Sequence, residues 1–294
     1  MGDGSAFWGE GIVGVLDGKV AIVAGGSRGV GRGCVLELAA AGAKVYVLGR
    51  TLTEGSGALP GSLTKTVGEA ADLGGTAVPI VCDLRSDAEI ASVFARVQRE
   101  DGRLDILVNS AFDLPEGCGN EEPFYETPIS YWDDMTAISA RSVYVTTWHA
   151  AQMMVPNKRG LIVNISSQGS REYFVHATYG ISKAALDRIG QDTGRELKQH
   201  GIAVVTLWPS FVLTERILAF DADEWGLDLS NAETPRFPGR GVVALANDPH
   251  VVDRSGRIYT TRQMADMYGF TDLDGTLPNG APDPATHYPL NATD

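Results

Sequence analysis

Seven short apolar runs, the helix-like segments between them and a glycine turn at the end of the first run predict an α/β chain. Its expected form is three-layered and doubly wound, a mostly parallel seven-stranded sheet with helices on both faces. The runs are VAIVAG from Val20, KVYVLG from Lys44, TAVPIV from Thr76, DILVN from Asp105, GLIVNIS from Gly160, AVVTLW from Ala203 and GRIYT from Gly256. They are apolar on both faces, as strands of a covered parallel sheet must be. Between them, Ser86 and Glu89 have capping-box spacing ahead of IASVFARV. Ser130, after Pro128, opens a helix expected to reach Pro156, and Gly201 stops the helix that ends in ELKQHG. No internal repeat is present.

Three stretches break the alternation. Residues 112–128 and 215–238 are read as an irregular insertion after the fourth strand and a mobile segment after the sixth. Both fall at the carboxyl edge of the sheet, where ligands bind in this architecture, so they are expected to wall a substrate cleft. The division expected is an N-terminal extension at 1–16, one catalytic domain at 17–262 and, at 263–294, a Gly- and Pro-rich stretch read as an irregular tail or a partner-contacting arm.

Composition excludes several partners. The 294 residues carry 24 Lys and Arg against 37 Asp and Glu, a net charge of -13 that repels nucleic acid and anionic membrane surfaces. Cys34, Cys82 and Cys118 form no C-x-x-C pair, and the five histidines, among them His149 and His176, have no ligand spacing, so no disulfide framework and no metal are expected. There is no leader-like N-terminus and no apolar stretch near the ~20 residues of a membrane helix. A cytoplasmic, soluble protein is expected, and the N-x-S/T triplets at Asn164 and Asn291 are read as chance.

The first strand runs into AGGSRGVGRG, with Gly25, Gly29 and Gly31 at G-x-x-x-G-x-G spacing before an apolar helix. Glycines there let the backbone approach a pyrophosphate, which meets the N–H groups and positive dipole end of the helix. That makes a Rossmann dinucleotide site the expectation. At the end of the second strand an NAD site wants an acid for the ribose 2′-OH, but Gly49 and Arg50 stand there. Arg28 inside the loop supplies a second guanidinium for a 2′-phosphate, so NADP(H) is expected over NAD(H).

In SSQGSREYFVHATYGISK, from Ser166 to Lys183, Tyr179 and Lys183 are four apart on a helix that follows the fifth strand, and Ser166 and Ser167 lie at that strand's carboxyl edge. Residues at i and i+4 share a helix face. A cation ~5 Å from a phenol at an effective dielectric of ~20 is worth ~3 kcal/mol, roughly two pKa units, enough to make a tyrosine an acid or base near neutrality.

With AGGSRGVG, CDL after the third strand, LVNSA after the fourth, NISS on the fifth, YGISK and WPSFVLT in that order, residues 17–262 strongly resemble the short-chain dehydrogenase/reductase family, of the single-domain type. A narrower likeness within it is carried by GRLDILVNSA, FYETPISYWDDM, MVPNKRGLIVNISSQGS and SGRIYTTRQMADMYGFTDLDG. The resemblance implies that Tyr179 exchanges a proton with a carbonyl or alcohol oxygen while hydride passes to or from nicotinamide. It implies that Ser167 hydrogen-bonds that oxygen, and that Lys183 holds the nicotinamide ribose and depresses the tyrosine pKa. For cofactor binding it implies Gly25, Ser27, Arg28, Gly29, Val30, Gly31, Arg50, Asp83, Leu84, Asn109, Pro209, Val212 and Thr214, beside Tyr179 and Lys183, with Asp83 at the adenine, Asn109 lining the groove, and Val212 and Thr214 on the carboxamide. A homodimer or homotetramer is the family expectation.

Four motifs depart from that family's pattern, at five residues: Ala24, the Ser110 and Phe112 of NSAF, Ser210, and Ser139 where the fourth helix often has asparagine. Phe112 is read as filling a hydrophobic gap, with narrowing of the nicotinamide groove as the alternative. Trp208 is read as core, and Trp132, Asp133 and Asp134 as a helix start. The resulting expectation is an NADP-dependent carbonyl reductase, or alcohol dehydrogenase in reverse, for a ketone or aldehyde with an apolar body, in a cleft bordered by Phe112, Phe124, Tyr125, Phe211 and Trp225. The alternative, motivated by Ser139 and Ser110, is a catalytically impaired NADP(H)-binding sensor or interaction protein on the same fold.

Overall fold

The computed structural model describes residues 14–57, 59–115, 117–118, 122–219 and 228–285. Strands β1 (Val20–Ala24), β2 (Lys44–Gly49), β3 (Thr76–Val81), β4 (Ile106–Asn109), β5 (Gly160–Ile165), β6 (Ile202–Trp208) and β7 (Ile258–Thr260) form one sheet in the order β3-β2-β1-β4-β5-β6-β7. Every pairing in it is parallel. The order reverses between β1 and β4, which opens a crevice at the carboxyl ends of those two strands.

The apolar runs split by residue parity between two cores. Ala21 and Val23 pack with Cys34, Val35 and Leu38 of α1 (Gly29–Ala40), Leu63 and Ala70 of α2 (Leu63–Asp72), Val242 of α7 (Arg236–Asn247) and Met264 of α8 (Thr261–Tyr268). On the other face Val20, Ile22 and Ala24 meet Ile90, Phe94 and Val97 of α3 (Asp87–Asp101), Met154 of α5 (Ser142–Met154) and Leu197 of α6 (Ala177–Lys198). β3 departs from the two-faced burial expected of it, because it is an edge strand, a position that tolerates Pro79 within it.

Three local expectations are corrected. The Ser86–Glu89 spacing yields half a capping box: Ser86 Oγ accepts from Glu89 N at 3.3 Å, but the Glu89 carboxylate accepts from Asp83 N at 2.8 Å. The helix from Ser130 is not regular to Pro156; α4 (Ser130–Thr136) and α5 are joined by a π-helical turn at Ala137–Arg141, and a 3-10 turn covers Val155–Asn157. The tail expected to be irregular from residue 263 begins inside α8, where Thr260 and Gln263 form a reciprocal capping box. Beyond α8, Phe270 is buried and Asp272 accepts from both Thr234 N (2.7 Å) and Thr234 Oγ1 (2.5 Å). Residues 228–238, expected to be mobile, are thereby tied to the C-terminal segment; residues 220–227 lie outside the described part. Among the described residues no helix is long and apolar enough to cross a membrane.

Candidate active site

A cleft of about 390 Å³ opens over the crevice between β1 and β4. Its floor is the turn from β1 into α1. Gly25 has φ +87°, and a Cβ there would lie 2.6 Å from Ala111 Cα; a Cβ on Gly31 would lie 2.1 Å from the Gly25 carbonyl oxygen. Only glycine fits either place, and the result is a bare backbone cradle at the start of a helix. A carboxylate already sits in it: Glu215 Oε2 accepts from Gly29 N at 2.8 Å. The end of α1 therefore does receive an anionic oxygen, which is what a dinucleotide phosphate presents.

Of the expected cofactor residues, Gly25, Ser27, Arg28, Gly29, Val30, Gly31, Arg50, Leu84, Tyr179, Lys183, Pro209, Val212 and Thr214 line this cleft. Asp83 and Asn109 do not. The Asp83 side chain accepts from Arg85 N at 3.0 Å, leaving Cys82 and Leu84 to form that wall. Asn109 is buried beneath the floor, donating to Asn164 Oδ1 at 2.9 Å and accepting from Thr146 Oγ1 at 2.8 Å, and the next residues, Ser110 to Asp113, line the cleft instead.

Arg28 donates to Thr51 Oγ1 (3.2 Å) and the Gly61 carbonyl (3.1 Å), while its Nε is buried without a hydrogen-bond partner. Burial holds the guanidinium below its ordinary pKa, with the charge of Glu215 opposing that shift. Arg50 is half exposed and pairs with Asp113 at 3.3 Å, a surface contact that is easily exchanged. Both guanidiniums stand on the wall beside Gly49 and Thr51.

At the opposite end, the β5 edge and the first turns of α6 converge. Ser167 Oγ and Tyr179 Oη share a hydrogen bond of 2.8 Å. Ser166 Oγ instead donates to the Lys183 carbonyl, so of the two serines it is Ser167 that meets Tyr179. Lys183 Nζ stands 5.7 Å from the Tyr179 ring centroid and 4.5 Å from that of Phe112, whose ring meets Tyr179 edge-on at 5.5 Å. Phe112 therefore lines the cleft beside Tyr179, with its ring covering the Lys183 ammonium.

The electrostatics correct the reading from helix spacing. Burial pushes the Tyr179 phenol above its ordinary pKa and the Ser167 hydrogen bond offsets only part of that, while burial pulls Lys183 down to about 8 against the opposing charge of Asp187. The ammonium lies over the Phe112 and Tyr179 rings, and burial is the leading cause of the shift of each group.

Several residues that shape the site were not singled out in the sequence. Asp187, one turn beyond Lys183, accepts from Ser170 Oγ (2.6 Å) and Trp208 Nε1 (3.0 Å), tying α6 to β6 and to the loop after Ser167; its carboxyl is pushed up by burial. Trp208 is core, as expected. His176 caps α6, its Nδ1 accepting from Thr178 N at 3.2 Å. Glu233 accepts from Ser210 N at 2.8 Å and its backbone bonds Phe211 and Leu213, fixing the loop that carries Val212 and Thr214. A carboxylate next to Thr214 and a histidine before a helical run were legible hints; Asp187 and Glu233 carry no local signal.

Ser139 is buried on the π-helical turn and spends its hydroxyl on the Met135 carbonyl. Phe112, Phe174 and Phe211 line the cleft, whereas Phe124 and Tyr125, expected there, are exposed and not among its lining residues, and Trp225 lies outside the described residues. No group of three or more His, Cys, Asp or Glu among the described residues could hold a metal ion.

A family model described as short chain dehydrogenase matches residues 19–225. This chain belongs to that family. It is 40% identical to the mouse protein named dehydrogenase/reductase SDR family member 1 over 90% of this chain and 86% of that one, and 41% identical to its human namesake over 88% and 85%. Those are the proteins to which the narrower sequence likeness points. A metagenomic short-chain oxidoreductase solved in complex with NADP superposes with a TM-score of 0.68 at 26% identity, covering 84% of this chain and 97% of that one. The protein is accordingly an oxidoreductase of the short-chain dehydrogenase family, on a fold suited to a nucleotide cofactor.

Proposed function

We propose that the protein transfers hydride between NADP(H) and a carbonyl or secondary alcohol substrate with an apolar body. The observation that carries the reading is the Ser167–Tyr179 hydrogen bond, with Lys183 beside it, at one end of a cleft whose other end is the glycine cradle. When bound, the cofactor supplies or accepts the hydride. In reduction Tyr179 Oη gives its proton to the substrate oxygen, and in oxidation it takes that proton back. Ser167 Oγ, already paired with the phenol, orients the same oxygen. A phenol raised by burial stays protonated near neutral pH, which suits the role of acid. Lys183 holds the ribose, and its charge bears more on the phenol once the site is closed to water. Phe112, Phe174 and Phe211 supply the apolar walls.

Preference for NADP(H) is supported by two guanidiniums, no acid at Gly49 or Arg50, and the unpartnered Nε of Arg28. Free thiols at Cys34, Cys82 and Cys118 and the charge of -13 support a cytoplasmic protein that does not bind nucleic acid, and self-assembly as a homodimer or homotetramer belongs to the same reading.

The test follows the absorbance of reduced nicotinamide with a panel of ketones and aldehydes. Turnover with NADPH that vanishes in Tyr179→Phe, with cofactor affinity nearly intact, is the expected result. Binding of NADPH without consumption across the panel would instead make the protein a sensor, and activity surviving Tyr179→Phe would reject the assignment of the acid.

A further inference from the structure

The carboxylate at the head of α1 is supplied by the loop after β6. Glu215 is mostly buried; its Oε2 takes the Gly29 N–H and its Oε1 lies 3.5 Å from Arg32 Nη1. Arg32 is itself fixed by two 2.6 Å hydrogen bonds to Glu69, so the Glu215 carboxylate meets a set cation as well as a free helix donor. Gly29 is the first residue of α1, where donors lack partners within the helix and the dipole favours an anion. A dinucleotide pyrophosphate placed at this helix start would meet the same donor, so a carboxylate that holds it competes with the phosphate.

Resting on the proposed use of NADP(H), we infer that Glu215 is a built-in competitor at the phosphate end of the cleft: it sets cofactor affinity and keeps small anions out. Tethered by the chain, its carboxylate acts at an effective concentration of millimolar or more, so inorganic phosphate or pyrophosphate, which has only the cradle to bind, is outcompeted. A dinucleotide also engages the Arg28 and Arg50 wall and the Lys183 end, and those contacts drive the exchange. Release costs little structure. The adjoining backbone is held independently, by the Thr214 hydroxyl accepting from Ile217 N at 3.3 Å and the Thr214 carbonyl accepting from Leu218 N at 2.9 Å, so a side-chain rotation suffices.

The experiment titrates the full chain and its Glu215→Gln and Glu215→Ala variants with NADPH by calorimetry, with and without inorganic pyrophosphate as competitor. Gln keeps the shape and removes the charge, so it reports even if Ala perturbs folding. Both variants are expected to bind NADPH about five- to thirty-fold more tightly, the worth of an anion at a partly buried helix start. Pyrophosphate is expected to weaken NADPH binding in the variants at concentrations that leave the wild type unaffected. Unchanged or weaker NADPH binding in Glu215→Gln, with pyrophosphate acting alike on all three proteins, would overturn the inference. A wild type that binds no NADPH would overturn the proposed function itself, and the inference with it.

Discussion

Replacing Glu233 with glutamine is expected to change how stability depends on pH, and the structure fixes both sign and size. The carboxyl is wholly buried; Oε1 accepts from Ser210 N at 2.8 Å, and Oε2 lies beside the Thr261 hydroxyl without a hydrogen bond of ordinary geometry. Burial, with the charge of nearby Asp272 adding to it, pushes the pKa from 4.5 to about 8. Below pH 4.5 folded and unfolded chains both carry the proton and the group is silent. Between 4.5 and 8 the folded chain keeps a proton that the unfolded chain releases, so stability falls as pH rises, by about 1.4 kcal/mol per pH unit. The accumulated cost near pH 8 is on the order of 4 kcal/mol. Glutamine can still accept from Ser210 N and has no proton to lose. Urea unfolding of both proteins at several points between pH 4.5 and 8 should show the variant gaining on the wild type along that slope. Two curves separated by a constant offset would mean that Glu233 is ionised in the fold, and would refute the reasoning.

Arg28→Ala should weaken NADPH by roughly ten- to a hundred-fold, the worth of a charge-assisted hydrogen bond, while changing NADH far less; equal losses for both, measured by titration, would remove Arg28 from the 2′-phosphate site. Gly31→Ala forces a Cβ to within 2.1 Å of the Gly25 carbonyl oxygen and should abolish dinucleotide binding, checked by the same titration. Arg236→Met removes the 2.6 Å partner of the fully buried Glu37 and leaves it the more distant Arg240 at 3.8 Å, which should cost about 3 kcal/mol in urea unfolding, with Glu37→Gln recovering part of the loss.

The strands were legible because a parallel sheet covered on both sides demands apolar side chains at successive positions, and few other structures do. The Tyr179, Lys183 and Ser167 arrangement was legible for a related reason: helix spacing and a strand edge are local rules. What escaped depended on distance or direction. Glu215 meets Gly29 across 186 residues, and Asp187 meets Trp208 only because α6 packs on β6. Asn109 was placed correctly on β4, but its side chain points beneath the groove, and nothing in a four-residue strand reveals that register. The acidity of Tyr179 was misjudged because spacing supplies a separation between charges and says nothing of the water excluded around them. For α8 the cue was present, a threonine three residues before glutamine at 260 and 263, hidden because that threonine also ends a strand.

The Asp272–Thr234 clasp bears on how the protein is made. Residues 233 and 234, which hold the loop after β6 at the cleft, leave the ribosome some forty positions before the aspartate that secures them. A nascent chain can complete all seven strands and lay down the glycine turn, yet Thr234 waits for Asp272 to be translated. A chain halted shortly after α8 would carry every proposed catalytic side chain and lack the Asp272 contacts that hold Thr234 beside the loop after β6.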